Sequence, residues 1–554
     1  MSNLFNSVLQ RKPKTNAFNM SHDLKLSFKF GQLIPILAEE VLPNERWSGT
    51  QSTLLKMAPM LAPVLHQVEL YCHSFFVPNR IMWPNWEKWI TGQQLKTVGA
   101  TDPEHPWIAI SDSQAGNGSL ADYIGLPSSD LAIVKYSGID PDNHPERQLN
   151  AFPFCAYQRI CFEYYRDQNL EDPTFTAEGL MLSDGHNSST VFNDYRDLHQ
   201  IRKRAWQKDY FTSALPWPQA GEEMMVPFGF DADVPVYAEN MGSGGGSGTV
   251  ITDTLGVPTS TSIDLYTTTS GTIGTSGGTQ LSIDPEASTF MARTSDLSLG
   301  SGSVNDLRTA FRLQEWLEKN ARGGTRYVEH ILSHFGSRVK DYRVDRPEYI
   351  GGGRANVQIS EVLQTAQAAE SSAETPLGTM AGHGISAGYS GSLNYRSTEH
   401  GWIMTIMSVR PKPAYMTGMH RKFLYRKDRL DYPWPTFAHL GEQEIHVNEL
   451  TYDATIDPDT LGTFGYTPRY SEFRYNYSRV AGDFNTSLLY WTLARNFNVH
   501  AGLDSDFITV DDDVYSTDLD RIFAVQDGTD YLWCQVVHDL RAVRPLPKYA
   551  TPIT

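Results

Sequence analysis

Leu24, Leu26, Phe28 and Phe30 alternate with Lys25, Ser27 and Lys29. A period of two sends successive side chains to opposite faces, so this segment is expected to be a strand with one buried face. From Val64 to Phe76 apolar residues occupy both faces, as in a strand deep in a sandwich, and Pro78 is expected to stop it. Strand patterns return at Trp402–Val409 and again near the C-terminus at Tyr531–Val537. Between these ends the period changes. Tyr157, Ile160, Cys161 and Tyr164 predict a helix over Ala156–Asp167. Leu307, Ala310, Phe311, Leu313 and Leu317 predict a second helix with Gly323 as its stop, and Val328, Ile331, Leu332 and Phe335 a third ended by Gly336. A tryptophan cluster (Trp83, Trp86, Trp89) leads into a polar loop region reaching about Gln148, and a Gly-rich loop is expected over Gly378–Gly391.

Strands at both ends of the chain, with helices confined to long connections, describe an antiparallel sandwich whose first and last strands lie side by side. The fold class expected is mainly β, an eight-stranded antiparallel jelly roll with long loop insertions containing a few α-helices. Residues 1–20 read as an extended N-terminal arm, and residues 21–554 as one jelly-roll domain with elaborated loops. Residues 230–302 read as an inserted surface protrusion. At its heart, Met241–Met291 carries no Lys or Arg, and its runs GSGGGSGT and TTTSGTIGTSGGT offer too little apolar surface to offset ordering the backbone inside a core. Scattered apolar residues, among them Val250, Leu255, Tyr266 and Ile273, suit small strands tied by tight turns.

Composition narrows the function. Of 554 residues, 40% are hydrophobic and 12% aromatic, while 20% are charged, which excludes a disordered chain and leaves a modest solvated surface. Much of that surface is therefore expected to be covered by further copies of the same chain. The net charge of −18 excludes a polycation that neutralises nucleic acid unaided. Four cysteines without a CxxC pair predict reduced, buried thiols rather than a disulfide framework or a zinc module. No apolar signal core or run of membrane-spanning length is evident, so the chain is expected to be made and assembled in the cytosol.

Longer blocks are more specific. SHDLKLSFKFGQLIPILAEEVLPNERW (21–47), MAPMLAPVLHQVELYCHSFFVPNRIMW (57–83), FPFCAYQRICFEYYRDQNL (152–170), RAWQKDYFTSALPWPQAG (204–221), RYVEHILSHFG (326–336) and TIMSVRPKPAYMTGMHRKFLYRKDRLDYPWP (405–435) resemble, in order, the major capsid proteins of microviruses, small icosahedral single-stranded DNA phages. The likeness is strongest to the gokushovirus-like branch, whose capsid proteins carry a large loop insertion forming a protrusion at the threefold axis. The resemblance implies a jelly-roll subunit and a T=1 shell of sixty copies. It also implies an internal scaffolding protein, a small basic DNA-binding protein, a minor pilot protein, packaged single-stranded DNA and a host surface receptor as partners. The location implied is the virion, assembled in the bacterial cytoplasm.

Candidate chemistry is sparse, and no catalytic residue, cofactor or metal is assigned. Gly274–Gly278 fits GxSxG, but in a repetitive tract without the strand-to-helix turn a nucleophile elbow needs. His330 and His334 lack the glutamate of a zinc-protease helix, and Asp504, Asp506 and Asp511–Asp513 read equally as a hydrated loop. DNA-contact candidates are Arg421, Lys422, Arg426 and Lys427, in a run from Arg410 to Lys427 without an acidic residue, and Arg11, Lys12 and Lys14 in the arm. Arg202, Lys203 and Arg204 are secondary candidates. Their alternative role is pairing with carboxylates across subunit contacts. The aromatic-proline segments offer Trp83, Trp86, Trp217 and Trp434 as subunit-interface anchors, with ordinary core packing as the alternative. Val250, Leu255, Tyr266 and Ile273 are candidates for host attachment. A glycan-binding protein or glycoside hydrolase built on a β-sandwich is the competing functional class.

Overall fold

The computed structural model describes residues 14–92, 103–131, 133–136, 148–171, 180–187, 198–222, 236–240, 265–267, 273–275, 288–292, 304–363, 380–424, 426, 428–453, 462–497, 500–511, 515, 518–524 and 528–549. Alternation of apolar and polar residues builds one curled antiparallel sheet from nine strands: β1 (Asn16–Asn19), β2 (His22–Phe28), β3 (Ile34–Val41), β4 (Arg46–Met57), β5 (Val68–Pro78), β6 (Glu348–Leu363), β7 (Met380–Arg396), β8 (Gly401–Pro411) and β9 (Leu532–Arg544). The strand order is β3-β8-β5-β6-β7-β4-β9. Beyond it β2 and β1 share the outer edge of β9, β2 on Leu532–His538 and β1 on Arg541–Arg544. First and last strands are thus neighbours, and the eight strands β2 to β9 have the jelly-roll connectivity. Of the arm expected over residues 1–20, Asn16–Asn19 are an edge strand of this sheet.

The sheet folds over at the β6–β7 hairpin. The end of β6, Gln358–Leu363, pairs with β7, whereas Glu348–Val357 pairs with β5 and Ile385–Arg396 of β7 pairs with β4. The two layers therefore part company within these strands, and their backbones pass close together. A Cβ on Gly353 would lie 2.5 Å from the Ser390 carbonyl oxygen. Glycine is required there by close approach rather than by a turn. The Gly-rich loop expected over Gly378–Gly391 is consequently corrected: from Met380 onward it is strand.

Three other boundaries move. The strand expected from Val64 begins at Val68 and ends on Pro78 itself. The helix expected from Ala156 starts at Phe152, with Pro153 in its first turn, as α1 (Phe152–Ile160), and passes into a π-helical turn at Cys161–Tyr165. The region expected to be polar loop up to Gln148 contributes buried Trp107, Ile108, Ile110 and Leu120. The remaining two long helices, α2 (Val304–Gly323) and α3 (Tyr327–Phe335), fall where the spacing puts them, and Gly336 closes α3 at φ 66°.

Between the layers, Phe28, Ile34, Leu55, Leu70, Met407, Leu532 and Val536 form the main core. A second core lies on the opposite face of the β3-β8-β5 layer, where Phe75, Val77, Met404 and Ile406 meet α1 and the tryptophan segment. That layer is buried on both faces, as the doubly apolar sequence of β5 requires. Two connections carry nearly everything else: β5 to β6 and β8 to β9. Phe211 of the former and Tyr415, Phe497 and Phe507 of the latter share a further core, into which Arg495 is driven with 1% exposure, its guanidinium 4.2 Å from the Phe507 ring. All four cysteines are buried and unpaired, and burial pushes the thiols up to about 12. The chain divides into two compact units, residues 1–220 with 318–554, and residues 221–317. In the second, Val236–Asn240 pairs with Ser288–Ala292 and Leu265–Thr267 with Ile273–Thr275.

One seam titrates. Proline at position 35 is tolerated because β3 is an edge strand, and the register slips there against β8. The Ile36 carbonyl is thereby free to accept from His538 Nε2 of β9 at 3.0 Å. Burial, and the His22 ring stacked 4.7 Å away, push this imidazole down to about 4. A folded-state value below the unfolded 6.5 means the contribution is complete above pH 6.5 and lost as pH falls towards 4, on the order of 3 kcal/mol for one buried imidazole. His66 and His73 are displaced in the same direction. His538→Gln, which keeps an N–H for Ile36, is expected to shrink the drop in melting temperature between pH 7 and 4.5. An undiminished drop contradicts this assignment.

Candidate functional site

The basic run after β8 does not act as a unit, because its members meet different neighbours. Arg421 opens a short 3-10 turn whose capping residue His420 accepts from the Lys422 N–H. That turn aims the Arg421 guanidinium inward at Glu449, 3.2 Å away, and Glu472, 3.7 Å away. Glu449 is 1% exposed and also accepts from the Tyr210 hydroxyl at 3.0 Å and the His446 N–H at 3.2 Å. Burial raises the Glu449 carboxyl above its usual range, with Arg421 opposing the shift. Arg421 is thus a structural cation, held by carboxylates within its own chain.

Lys422 and Arg426 face outward among aromatics. The Lys422 ammonium lies 5.1 Å from the Phe423 ring, and the Arg426 guanidinium 4.6 Å from Tyr432 and 6.0 Å from Phe473. Phe423, Tyr432, Trp434 and Phe473 are each about half exposed. Trp434 is fixed by its indole N–H, which donates to the Arg429 carbonyl at 2.9 Å. Lys427, like Arg11 and Lys12, lies outside the described residues, and Lys14 is exposed just before β1.

Trp83 and Trp86 require a correction as interface anchors. Trp83 is fully buried and Trp86 9% exposed within the single chain, where they pack on Phe152 and Trp89. The Trp83 indole N–H is already satisfied by Asp184 at 2.8 Å. The proline that follows Trp83 starts the turn delivering both rings to the core, so core packing takes them. Trp217 is half-buried and Trp434 exposed, which leaves these two with surface to offer. Val250 and Leu255 lie outside the described residues, whereas Tyr266 and Ile273 fall on the two paired strands of a small hairpin.

Arg204, a secondary candidate, and Arg410, where the basic run begins, meet in a constellation the spacing did not single out, where β5 and β8 run side by side. Tyr71 pairs with Ser408 and Glu69 with Arg410, so these four share one face. The segment after residue 200 lays Arg204 on top: its Nη1 donates to Ser408 Oγ at 2.6 Å, and its guanidinium carbon sits 4.2 Å from the Tyr71 ring. Arg410 lies 5.0 Å from the same ring and donates to the Ala205 carbonyl at 2.9 Å. The available signal was parity: Tyr71 and His73 on one strand, Ser408 and Arg410 on the other, all opposite in phase to the main-core residues Leu70, Cys72, Met407 and Val409.

No group of three metal-ligating side chains occurs among the described residues. His334 Nε2 lies 2.6 Å from Asn320 Oδ1, and Asp504 caps the Ser505–Ile508 helix through the Phe507 N–H. Asp511 pairs with Lys203, while Asp512 and Asp513 lie outside the described residues. Among the described residues no helix is long and apolar enough to cross a membrane.

Comparison with known proteins agrees along the whole length. Residues 7–554 match the family described as Capsid protein (F protein). Three similar proteins are each called Capsid protein VP1. That of Chlamydia phage 1 is 30% identical, covering all of this chain and 98% of its own, and that of Bdellovibrio phage phiMH2K is 32% identical, covering 97% and 95%. That of Spiroplasma virus 4 is 27% identical, covering 96% and 94%.

Proposed function

Because this chain belongs to the phage capsid protein family, the F proteins, we propose that sixty copies of it close a T=1 icosahedral shell around a circular single-stranded DNA genome. Membership itself carries the coarser statements: the chain is a structural capsid protein rather than an enzyme, its place is the virion, and its first partner is itself. The glycan-active alternative is set aside on the same ground. Assembly in the host cytoplasm with an internal scaffolding protein, a small basic DNA-binding protein and a minor pilot protein completes the reading. The net charge of −18 supports the basic partner, since enclosed phosphates need cations this chain does not supply in bulk. The inserted unit, residues 221–317, is the part proposed to meet the host receptor, because a compact body inserted between two strands can vary while the sandwich stays fixed.

The observation that carries self-assembly beyond family membership is the aromatic patch around Arg426. Exposed Phe423, Tyr432, Trp434 and Phe473 with two cations among them are the composition of an interface core, not of a solvated surface. Trp434→Ala is expected to weaken assembly by about 2 kcal/mol per contact while leaving the subunit folded. Sedimentation and circular dichroism on one sample separate the two effects. Shells of normal yield and stability from this variant contradict an interface role for the patch.

A further inference from the structure

Several half-buried guanidiniums are matched to carboxylates: Arg80 to Asp345 and Glu399, Arg322 to Glu442, Arg346 to Glu163, Arg421 to Glu449 and Arg544 to Glu45. Arg204 and Arg410 are not so matched; Arg495, packed on aromatic rings, and Arg521, held by four backbone carbonyls, also lack a carboxylate, but Arg204 and Arg410 lie together on a cavity wall. Among the described residues neither has a carboxylate within ion-pair distance. Their partners are one hydroxyl, one backbone carbonyl, the Tyr71 ring they share and, for Arg204, the Tyr165 ring at 5.8 Å, and Arg410 Nε is buried with no acceptor. The nearest acid on this face, Glu69, is engaged by the Tyr71 hydroxyl. The two cations also act on each other and on His73: burial and the charge of Arg410 push Arg204 down to about 10, and burial with both arginines pushes His73 down to about 4. Glu69, whose charge acts on Arg204, offsets one of the two adjacent cations, and the other leaves a place for an anion.

They face a cavity of about 500 Å³ whose other walls are aromatic. Tyr165 stacks on His73 at 6.0 Å, and Tyr349, half exposed, meets Phe75 at 5.6 Å. Lys208 lines this cavity and an adjoining one of about 480 Å³, which adds Lys412, Tyr475 and Tyr477. A lone carboxylate from a neighbouring copy would use the guanidiniums and leave the aromatic wall idle. A phosphate attached to a planar base uses both.

We infer that this cavity seats one nucleotide unit of single-stranded DNA, its phosphate at Arg204 and Arg410 and its base against the aromatic wall; the inference rests on the reading that the shell encloses DNA. The adjoining cavity continues the track, with the ammonium of Lys412 for a following phosphate. The sites that retain DNA then lie on the sandwich at β5 and β8, not in the Arg421–Lys427 run.

Fluorescence anisotropy with a fluorescein-labelled oligothymidylate and the purified full-length chain tests this. Arg204→Gln with Arg410→Gln is expected to weaken binding at least tenfold and to flatten the dependence of log K on log salt by about one unit. Tyr349→Ala, at the exposed mouth, is expected to weaken it about fivefold or more without changing that slope. Thymidine monophosphate should compete better than inorganic phosphate or thymidine. Equal competition by phosphate reduces the cavity to an anion site and overturns the nucleotide. Normal DNA binding with lost assembly in the double variant reassigns the arginines to a neighbour's carboxylate. If the double variant does not fold, unchanged affinity in Tyr349→Ala alone overturns the inference. Purified wild-type particles lacking DNA would defeat the enclosure reading itself, whereas DNA-filled particles with unaltered variants defeat only this cavity.

Discussion

Replacing residues 241–287 by the dipeptide Asn-Gly is expected to leave shells of normal yield and abolish adsorption to host cells, a loss of at least a hundredfold in attached particles. The register of the inserted unit makes the replacement feasible: Asn240 stands directly opposite Ser288 at the end of an antiparallel pair, so the two ends are already the distance a two-residue hairpin turn spans. Asn-Gly supplies the positive φ values such a turn requires. Among the described residues of the removed segment, Leu265–Thr267 and Ile273–Thr275 pair with each other rather than with a strand of the nine-stranded sheet. It removes Val250, Leu255, Tyr266 and Ile273 together. Particle yield by sedimentation and adsorption by depletion of free particles from a cell suspension read the two outcomes separately. Undiminished adsorption ends the attachment role, and loss of shells makes the insertion part of assembly instead.

Arg421→Met is expected to cost the subunit about 3–5 kcal/mol, the effect of leaving buried carboxylates without their cation. Glu449 and Glu472 are each nearly inaccessible, and their remaining hydrogen bonds come from neutral donors: the Tyr210 hydroxyl, the His446 N–H and the Gln443 amide. Lys422→Ala and Arg426→Ala, whose cations lie over exposed rings, should each change stability by less than about 1 kcal/mol. Denaturant unfolding of the unassembled chain makes the comparison. A stable Arg421→Met chain with reduced DNA content in its particles would restore Arg421 as a nucleic-acid contact.

The contrast between Arg421 and Arg410 shows where sequence reading succeeds. Strands β2 and β9 were legible because each keeps a strict apolar alternation along one face, as the pairing of Leu24, Leu26 and Phe28 with Val536, Cys534 and Leu532 reflects. Strand β4 was not, because its inward positions include Gln51 and Thr53. Gln51 is buried by donating to Thr405 at 3.0 Å, which in turn meets Ser74 at 2.8 Å. A polar residue satisfied across the sandwich looks in sequence like a solvated one. Strand β7 was hidden for a different reason: its glycines signal a turn locally but serve the close passage of two backbones. Among the candidate contacts, linear proximity grouped Arg421 with Lys422 and Arg426, although a single turn directs the first inward and leaves the others outside. Arg204 and Arg410, 206 positions apart, meet only because β5, β8 and the segment after residue 200 converge on Tyr71. No local pattern records such a meeting.

The mass of the particle proposed for this chain, assembled with the proposed scaffolding partner, tests the account most directly. Sixty chains of 62.2 kDa amount to about 3.7 MDa of capsid protein, to which the DNA of the proposed reading would add. Native mass measurement of purified particles, paired with nuclease-resistant DNA content, should return a closed species at or above that value. A chain that stays monomeric, or halts at a small closed oligomer under the same conditions, contradicts it.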